Sequence, residues 1–262
     1  MTMDEPARMD VSLVERQQDI FRRALEGGVV YVRDLSIEFG VHEMTIRRDF
    51  DTLVEQGLME RVRGGARLRE RSGEELTHQM RAARHIEAKT AIAREALTLI
   101  NPGDTVAFDC STTALALVRL LEGNEVSAIV SGLDAAAILA ANNVPYVMVG
   151  GAFHAPARSF TGVLFEESMA RLHPDKVFFS AKSFHSDLGF TDSFLPEVGA
   201  KRAILRSGGM IIALIDSTKF GRRALATVAL PNEIDVLITN APLSEPDMRT
   251  LEQADVRVII AA

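Results

Sequence analysis

One cysteine, Cys110, stands in 262 residues, and tryptophan is absent. A single thiol can neither close an intramolecular disulfide nor build a thiolate metal cluster. The histidines, His42, His78, His85, His154, His173 and His185, include no pair at metal-ligand spacing, so no metal site is expected. No apolar run approaches the roughly 18 residues of a membrane span, which excludes a helical membrane anchor as a working expectation. Residues 1–10 are acidic and contain proline but no apolar h-region, so a frayed tail is expected there, not a signal peptide. These absences together point to the cytoplasm. The chain also lacks G-x-S-x-G, a P-loop and a Rossmann glycine fingerprint, so neither a cofactor nor a catalytic residue set is expected. Excess positive charge is missing too: the net charge is −7, which taken alone argues against a nucleic-acid partner.

The average conceals a local pattern. Between Arg61 and Arg71 lie five arginines and one acid, Glu70. Nucleic-acid binding needs a local basic surface, not a basic chain. Just upstream, a short helix is expected over Val32–Phe39, ended by the turn at Gly40, and a second over His42–Glu55. At 100° per residue, Ile46, Phe50 and Leu53 share one side of the second helix. Met44, Arg48, Asp51 and Glu55 oppose them, with Thr45 near the N-terminal end and Arg47 on a flank. Arg61, Arg63, Arg67 and Arg69 surround Gly64-Gly65 in a hairpin-like segment. Helix, glycine turn, helix and arginine wing are the parts of a winged helix-turn-helix. The partner this implies is double-stranded DNA, contacted by Met44, Thr45, Arg47, Arg48, Arg61, Arg63, Arg67 and Arg69. The plain alternative is an amphipathic helix with a solvated charged face.

The expected domains are a tail over 1–10, the winged helix-turn-helix over 11–69, a polar linker over 70–85 and a larger α/β domain over 86–262. The first helix is expected over Val11–Glu26. After residue 86 helical stretches alternate with short β-branched runs at Thr105–Asp109, Ser127–Ser131, Tyr146–Gly150, Lys176–Ser180, Met210–Ile215, Val236–Thr239 and Val256–Ile260. Helices fall between them, among them Thr113–Glu122, Asp134–Asn142 and Glu197–Ser207. That alternation predicts a mostly parallel sheet with helices on both faces.

Ligands of such sheets bind at the carboxyl ends of the strands. Four ends carry suggestive residues. Asp109, Cys110, Ser111, Thr112 and Thr113 open a helix, where free N–H groups and hydroxyls suit an anion; simple N-capping is the alternative. Gly150-Gly151 allows close backbone approach to a ligand, or a mere turn. In Ser180–Asp192, Lys182 and the later Lys201 can meet an anion, and Asp187 or Glu197 a sugar hydroxyl; the alternative is a solvated loop and an i,i+4 Glu–Lys pair. Lys219, in Asp216–Gly221, can place a cation over the crevice or sit on the surface. Cys110 is expected as a packing residue.

In this order, the motifs resemble those of the DeoR family of bacterial transcription regulators along nearly the whole chain. The resemblance rests on Arg16, Thr45-Ile46-Arg47-Arg48-Asp49 and Arg63-Gly64-Gly65-Ala66. It continues through Lys89, Asp109 with Thr112-Thr113, Gly150-Gly151, Thr161-Gly162, Glu197, Lys201-Arg202 and Asp216 with Lys219-Phe220-Gly221. It implies repression of carbohydrate-metabolism genes, a phosphorylated sugar effector and a larger domain with a fold similar to ribose-5-phosphate isomerase. The effector contacts it implies, with the strand-end analysis, are Asp109, Ser111, Thr112, Thr113, Gly150, Gly151, Lys182, Glu197, Lys201 and Lys219. Ser111 departs from the family's usual glycine, and Ser180-Ala181-Lys182-Ser183 from a glycine-rich, acid-containing segment. Tyr31 and His42 stand where serine or threonine commonly caps the two DNA-reading helices, so packing is expected to carry more of their stability. A homo-oligomer, dimer or tetramer, is expected because one such module covers little DNA. The competing function is a sugar-phosphate isomerase or transferase with a DNA-binding appendage; Lys182, where proton transfer would need an acid, argues against it.

Overall fold

The computed structural model describes residues 16, 17, 19–21, 23, 24, 28–55, 58–68 and 78–261. The tail expected over 1–10, Arg69 and most of the expected linker lie outside them. Two compact units divide between Arg84 and His85.

In the first unit, the described residues between 16 and 24 are helical. A strand β1 (Val29–Tyr31) leads into helix α1 (Val32–Glu38), and after the Gly40 turn comes helix α2 (Glu43–Glu55). Strands β2 (Met59–Val62) and β3 (Gly65–Leu68) form a hairpin, and β3 also pairs β1, giving the antiparallel order β1-β3-β2. The apolar face expected of α2 is the buried one: Ile46, Phe50 and Leu53 pack with Ile20, Leu35, Met59 and Ala66. Gly64 turns the hairpin at φ +76°, and Gly65 lies so close to β1 that an added Cβ would sit 2.2 Å from the Val30 carbonyl oxygen. Helix α3 (His78–Ala83) falls inside the expected linker, and its Ala83 packs on this core. Tyr31 caps α1 with no side-chain bond, as expected, but His42 does cap α2: the Met44 N–H donates to its Nδ1 at 3.2 Å. An imidazole nitrogen thus fills the place of a hydroxyl.

The second unit is a seven-stranded parallel sheet. Its members are β4 (Thr105–Phe108), β5 (Ser127–Val130), β6 (Tyr146–Met148), β9 (Lys176–Phe179), β12 (Met210–Leu214), β14 (Val236–Thr239) and β15 (Arg257–Ile260), in the order β15-β14-β12-β9-β4-β5-β6. These are the seven apolar runs of the sequence. Period-two alternation sends Val106, Phe108 and Val130 to one face, under the helices of residues 86–97, 112–118 and 133–141. Ala107, Ile129 and Phe179 go to the other, under helices α7 (Val163–Met169) and α8 (Leu195–Arg206). The chain runs outward one way from β4 through β5 and β6. It runs the other way from β9 through β12, β14 and β15, so the order reverses between β4 and β9.

Two smaller antiparallel pieces complete the unit. Strands β7 (Ala152–His154) and β8 (Ser159–Thr161) make a hairpin. Strands β10 (Ser183–His185), β11 (Gly189–Asp192) and β13 (Ala226–Ala229) make a three-stranded sheet. The alternative of a solvated loop over Ser180–Asp192 is therefore wrong: Phe184 and Phe190 are fully buried, with ring centroids 4.9 Å apart. Gly151 is the glycine that close approach requires, since a Cβ there would meet the Thr161 carbonyl at 2.5 Å, whereas Gly150 has open space around it. Gly151→Ala is expected to lower the unfolding free energy by about 1–3 kcal/mol through overpacking, and Gly150→Ala to stay within about 0.5 kcal/mol. Equilibrium denaturant unfolding of both variants checks this; equal costs would contradict it.

Candidate functional site

In the first unit α2 presents Met44, Arg47 and Arg48 to solvent with Thr45 half-buried beside them. Arg47 leans on Glu43 at 3.4 Å, and Arg67 pairs with Glu60, its cross-strand neighbour, at 2.5 Å. Arg61 turns back to the helix, donating to the Arg47 carbonyl at 2.7 Å and to Asp51 at 2.5 Å. Arg48 and Arg63 make no ion pair among the described residues. The exposed cations on helix and hairpin form a surface suited to phosphate and base edges.

Asp49, at the end of the T-I-R-R-D run, has no such exposure. It is 1% exposed and accepts from Arg16 Nε at 2.7 Å, Arg16 Nη2 at 3.2 Å and Gln17 Nε2 at 3.2 Å. The forked bond ties the N-terminal helical segment to α2 and fixes the helix beneath Arg47 and Arg48. No role was assigned to Asp49 in the sequence; an acid on the apolar side of an amphipathic helix was the available signal. Asp49→Ala is expected to cost roughly 1.5–3 kcal/mol, the value of a hydrogen bond to a charged group. Chemical denaturation reads it; a neutral outcome would show that the fork contributes nothing.

The second unit gathers its polar groups where the strand order reverses, at the carboxyl ends of β4, β9 and β12. Asp109 follows β4, Ser180 follows β9 and Asp216 follows β12. Lys201, on α8 and 4% exposed, reaches into this point. Its ammonium donates to Asp192 at 2.6 Å and the Ser180 carbonyl at 2.8 Å, with Asp109 at 3.6 Å. Burial pulls the Lys201 ammonium toward neutrality, but Asp192, Asp109 and Glu197 together hold it above the ordinary lysine range. Burial likewise would raise Asp192, and Lys201 overrides it and keeps the carboxyl low. Asp109 also accepts from the N–H groups of Ser111 and Ser180, both at 3.1 Å.

Lys219 differs. It sits in a short 3-10 turn, Ser217–Lys219, capped by Asp216. Its ammonium donates to Ser180 Oγ at 2.8 Å and lies 3.5 Å from Asp216, with a fifth of the side chain exposed. Burial depresses the Lys219 ammonium, and Asp216 restores only part of the loss, so it stays below the ordinary lysine range. Ser180 is thus bonded at every polar atom: its N–H to Asp109, its carbonyl to Lys201, its hydroxyl to Lys219 and to the Leu214 carbonyl at 2.6 Å.

Ser111 is the N-cap of the helix over Thr112–Val118, accepting from the Ala114 N–H at 3.2 Å, so the capping alternative holds for it. The Thr113 hydroxyl is buried without a hydrogen-bond partner among the described residues. Glu197 does not bond Lys201 one turn on; it meets His154 Nδ1 at 3.3 Å and Cys110 Sγ at 3.9 Å, and His154 stacks on Phe194. Lys182 is exposed, and its charge bears on Asp192. Asp187 is also exposed. Asp109, Ser111–Thr113, Glu197, Lys201 and Lys219 are therefore brought together; Gly150-Gly151 serves its own hairpin, and Asp187 stands apart. Ser180, Asp192 and His154 were missed as site residues. No chain-local signal marks Asp192, because β11 is set by its pairing with β10 and β13.

Burial, then Glu197 and Asp109, push the Cys110 thiol up to about 12. The neutral thiol is a poor nucleophile. Its alkylation by iodoacetamide in the native protein is expected to keep accelerating through pH 10, because the thiolate fraction still rises there. A plateau near pH 9 would contradict the buried, acid-flanked setting.

Comparison with known proteins identifies both units. Residues 16–72 match the DeoR-like helix-turn-helix domain, and residues 84–241 match the DeoR C terminal sensor domain. The chain is 33% identical over 249 residues to the HTH-type transcriptional regulator GolR of Listeria innocua, covering 94% of this chain and 98% of that one. It is 30% identical to a putative aga operon transcriptional repressor of Escherichia coli, covering 94% and 93%. Among solved structures it is similar to a ribose 5-phosphate isomerase from Methanocaldococcus jannaschii, with TM-score 0.39 and 15% identity over 52% of this chain and 54% of that one. With a DNA-binding helix-turn-helix unit followed by a sensor unit, the chain belongs to the DeoR family of transcription regulators.

Proposed function

We propose that the protein is a cytoplasmic repressor of carbohydrate-metabolism genes, working as a homo-oligomer and controlled by a phosphorylated sugar rather than acting as an enzyme. The observation that carries this is the contrast between the two lysines of the crevice. Lys201 has its charge matched by acids of its own chain. Lys219 is under-compensated, partly exposed and beside the point where the strand order reverses. An anion is what such a cation lacks. The N–H groups of Thr112 and Thr113, at the start of the helix that Ser111 caps, offer donors to the same group, and Glu197 with His154 suits hydroxyls at the other end. Asp109 and Lys201 frame the crevice, and Lys182 stands at its rim. The naming of one relative as a putative operon repressor favours repression over activation. The acids near Lys201 are engaged by N–H and ammonium donors, which leaves proton transfer little to use.

Regulation requires that the effector bind two states of the protein unequally; a coupling of roughly 1–3 kcal/mol suffices. Paired DNA-binding units set half-site spacing, so a small change in their orientation alters operator affinity. Thr112→Ala and Lys219→Ala are expected to keep operator affinity and lose the response to effector in an electrophoretic shift assay. Calorimetry of the full chain should show tighter binding of a sugar phosphate than of its unphosphorylated sugar. The reverse preference would refute the assignment. Arg48→Ala is expected to weaken operator binding by about 1–3 kcal/mol and relax selection at one base position; a variant indistinguishable from the parent on operator and random DNA would remove Arg48 from the interface.

A further inference from the structure

Not every arginine of the wing is placed to meet phosphate. From its geometry we infer that Arg61 is a positioning residue, which locks the β2–β3 hairpin to α2 and sets the angle at which helix and wing meet DNA. Three contacts converge on its guanidinium. One Nη2 reaches both the Arg47 carbonyl at 2.7 Å and the Asp51 carboxylate at 2.5 Å. The guanidinium carbon lies 5.2 Å from the centroid of the Phe50 ring, and Phe50 is fully buried in the core beneath α2. One nitrogen of the guanidinium holds the carbonyl and the acid while the planar group faces the aromatic ring; a lysine ammonium, a point charge on a flexible stem, has no plane to set against that ring and hold the orientation.

The charge balance points the same way. Asp51 is 62% exposed on the helix that carries Arg47 and Arg48. An unpaired carboxylate there would repel the DNA backbone. Arg61 cancels it, so the pair presents no net charge and displaces no counterion from DNA. Arg63, one residue beyond β2 and without an ion pair among the described residues, is the cation free to do so. As a surface ion pair the Arg61–Asp51 contact adds little to stability; its effect is on geometry, and hence on discrimination between sequences.

The test compares the full-length parent with three variants on two probes: a random-sequence duplex, and a duplex selected from a random library by the parent. Arg61→Lys keeps the charge but not the planar group that faces Phe50. Arg61→Met with Asp51→Asn removes the pair at constant net charge. Arg63→Met is the control. Circular dichroism and thermal melts of each variant establish folding. The expected result is that Arg61→Lys and the double variant keep the parent's salt slope on random DNA while losing at least several-fold in preference for the selected duplex. Arg63→Met should lower the slope by about 0.9, the value of one phosphate contact. A double variant that loses about 0.9 in slope, with Arg61→Lys behaving as the parent, would make Arg61 a phosphate contact and overturn the inference. Should the double variant not fold, Arg61→Lys alone decides, since a phosphate contact survives exchange for lysine and the positioning contact does not.

Discussion

An ammonium group taken out of water must be met by opposite charge, or it gives up its proton. Lys201 meets that condition by drawing separate elements together. Asp192 ends β11, the carbonyl of Ser180 follows the central strand β9, and Asp109 follows the neighbouring strand β4. The three-stranded sheet that carries Asp192 is held beside the parallel sheet partly by this demand. So is the turn after β4 that leads into the Thr112 helix, since Asp109 also fixes the Ser111 N–H. The polar cluster at the reversal of strand order is in this sense organised around one buried cation.

The second lysine takes its meaning from the first. Ser180 links them, its carbonyl serving Lys201 and its hydroxyl Lys219. Because the acids nearest Lys201 are already committed to it, Lys219 is left with Asp216 and a hydroxyl. Charge that the fold has not balanced is available to a ligand. The same logic runs through the DNA-binding unit on a smaller scale. Asp49 is committed to Arg16 and Asp51 to Arg61, which leaves Arg48 and Arg63 as cations without ion pairs among the described residues. In both units, then, the cations best placed for a partner are those that internal pairing leaves over.

Much of this architecture was legible in the sequence, and the division between what was and was not has a physical basis. The inner strands β4, β5, β9, β12 and β14 of the parallel sheet are mostly buried on both faces and read as apolar, β-branched runs, and the more exposed edge strands β6 and β15 keep the same kind of run. Ile46, Phe50 and Leu53 show the period of a helix with one buried side. The short strands β7, β8, β10, β11 and β13 have no such mark. Each is three or four residues long with no sustained apolar run, and the three-stranded sheet is closed by a partner far away in sequence, as Phe190 is paired with Ala229. Chain-local pattern cannot supply that. The candidate site divides likewise. Lys201, Lys219, Asp109 and Glu197 could be chosen because each stands at a strand end or on the helix after one. That Lys201 would be spent on Asp192 rather than on Glu197 one turn away depends on β11, the strand that was missed. His42 as a cap was missed because imidazole is an uncommon N-cap, although its Nδ1 accepts as a hydroxyl oxygen would.

The central claim is that the fold balances Lys201 and leaves Lys219 for the effector. The most direct measurement is a pH titration of the lysine side chains by NMR, on protein carrying isotope-labelled lysine, without and with a phosphorylated sugar. The account predicts that Lys219 loses its proton below the ordinary lysine value of about 10.4, that Lys201 loses it above, and that the sugar phosphate moves the Lys219 midpoint upward while leaving Lys201 in place. A Lys219 that titrates as a solvated lysine and does not respond to the ligand, or a Lys201 that responds in its stead, would contradict it.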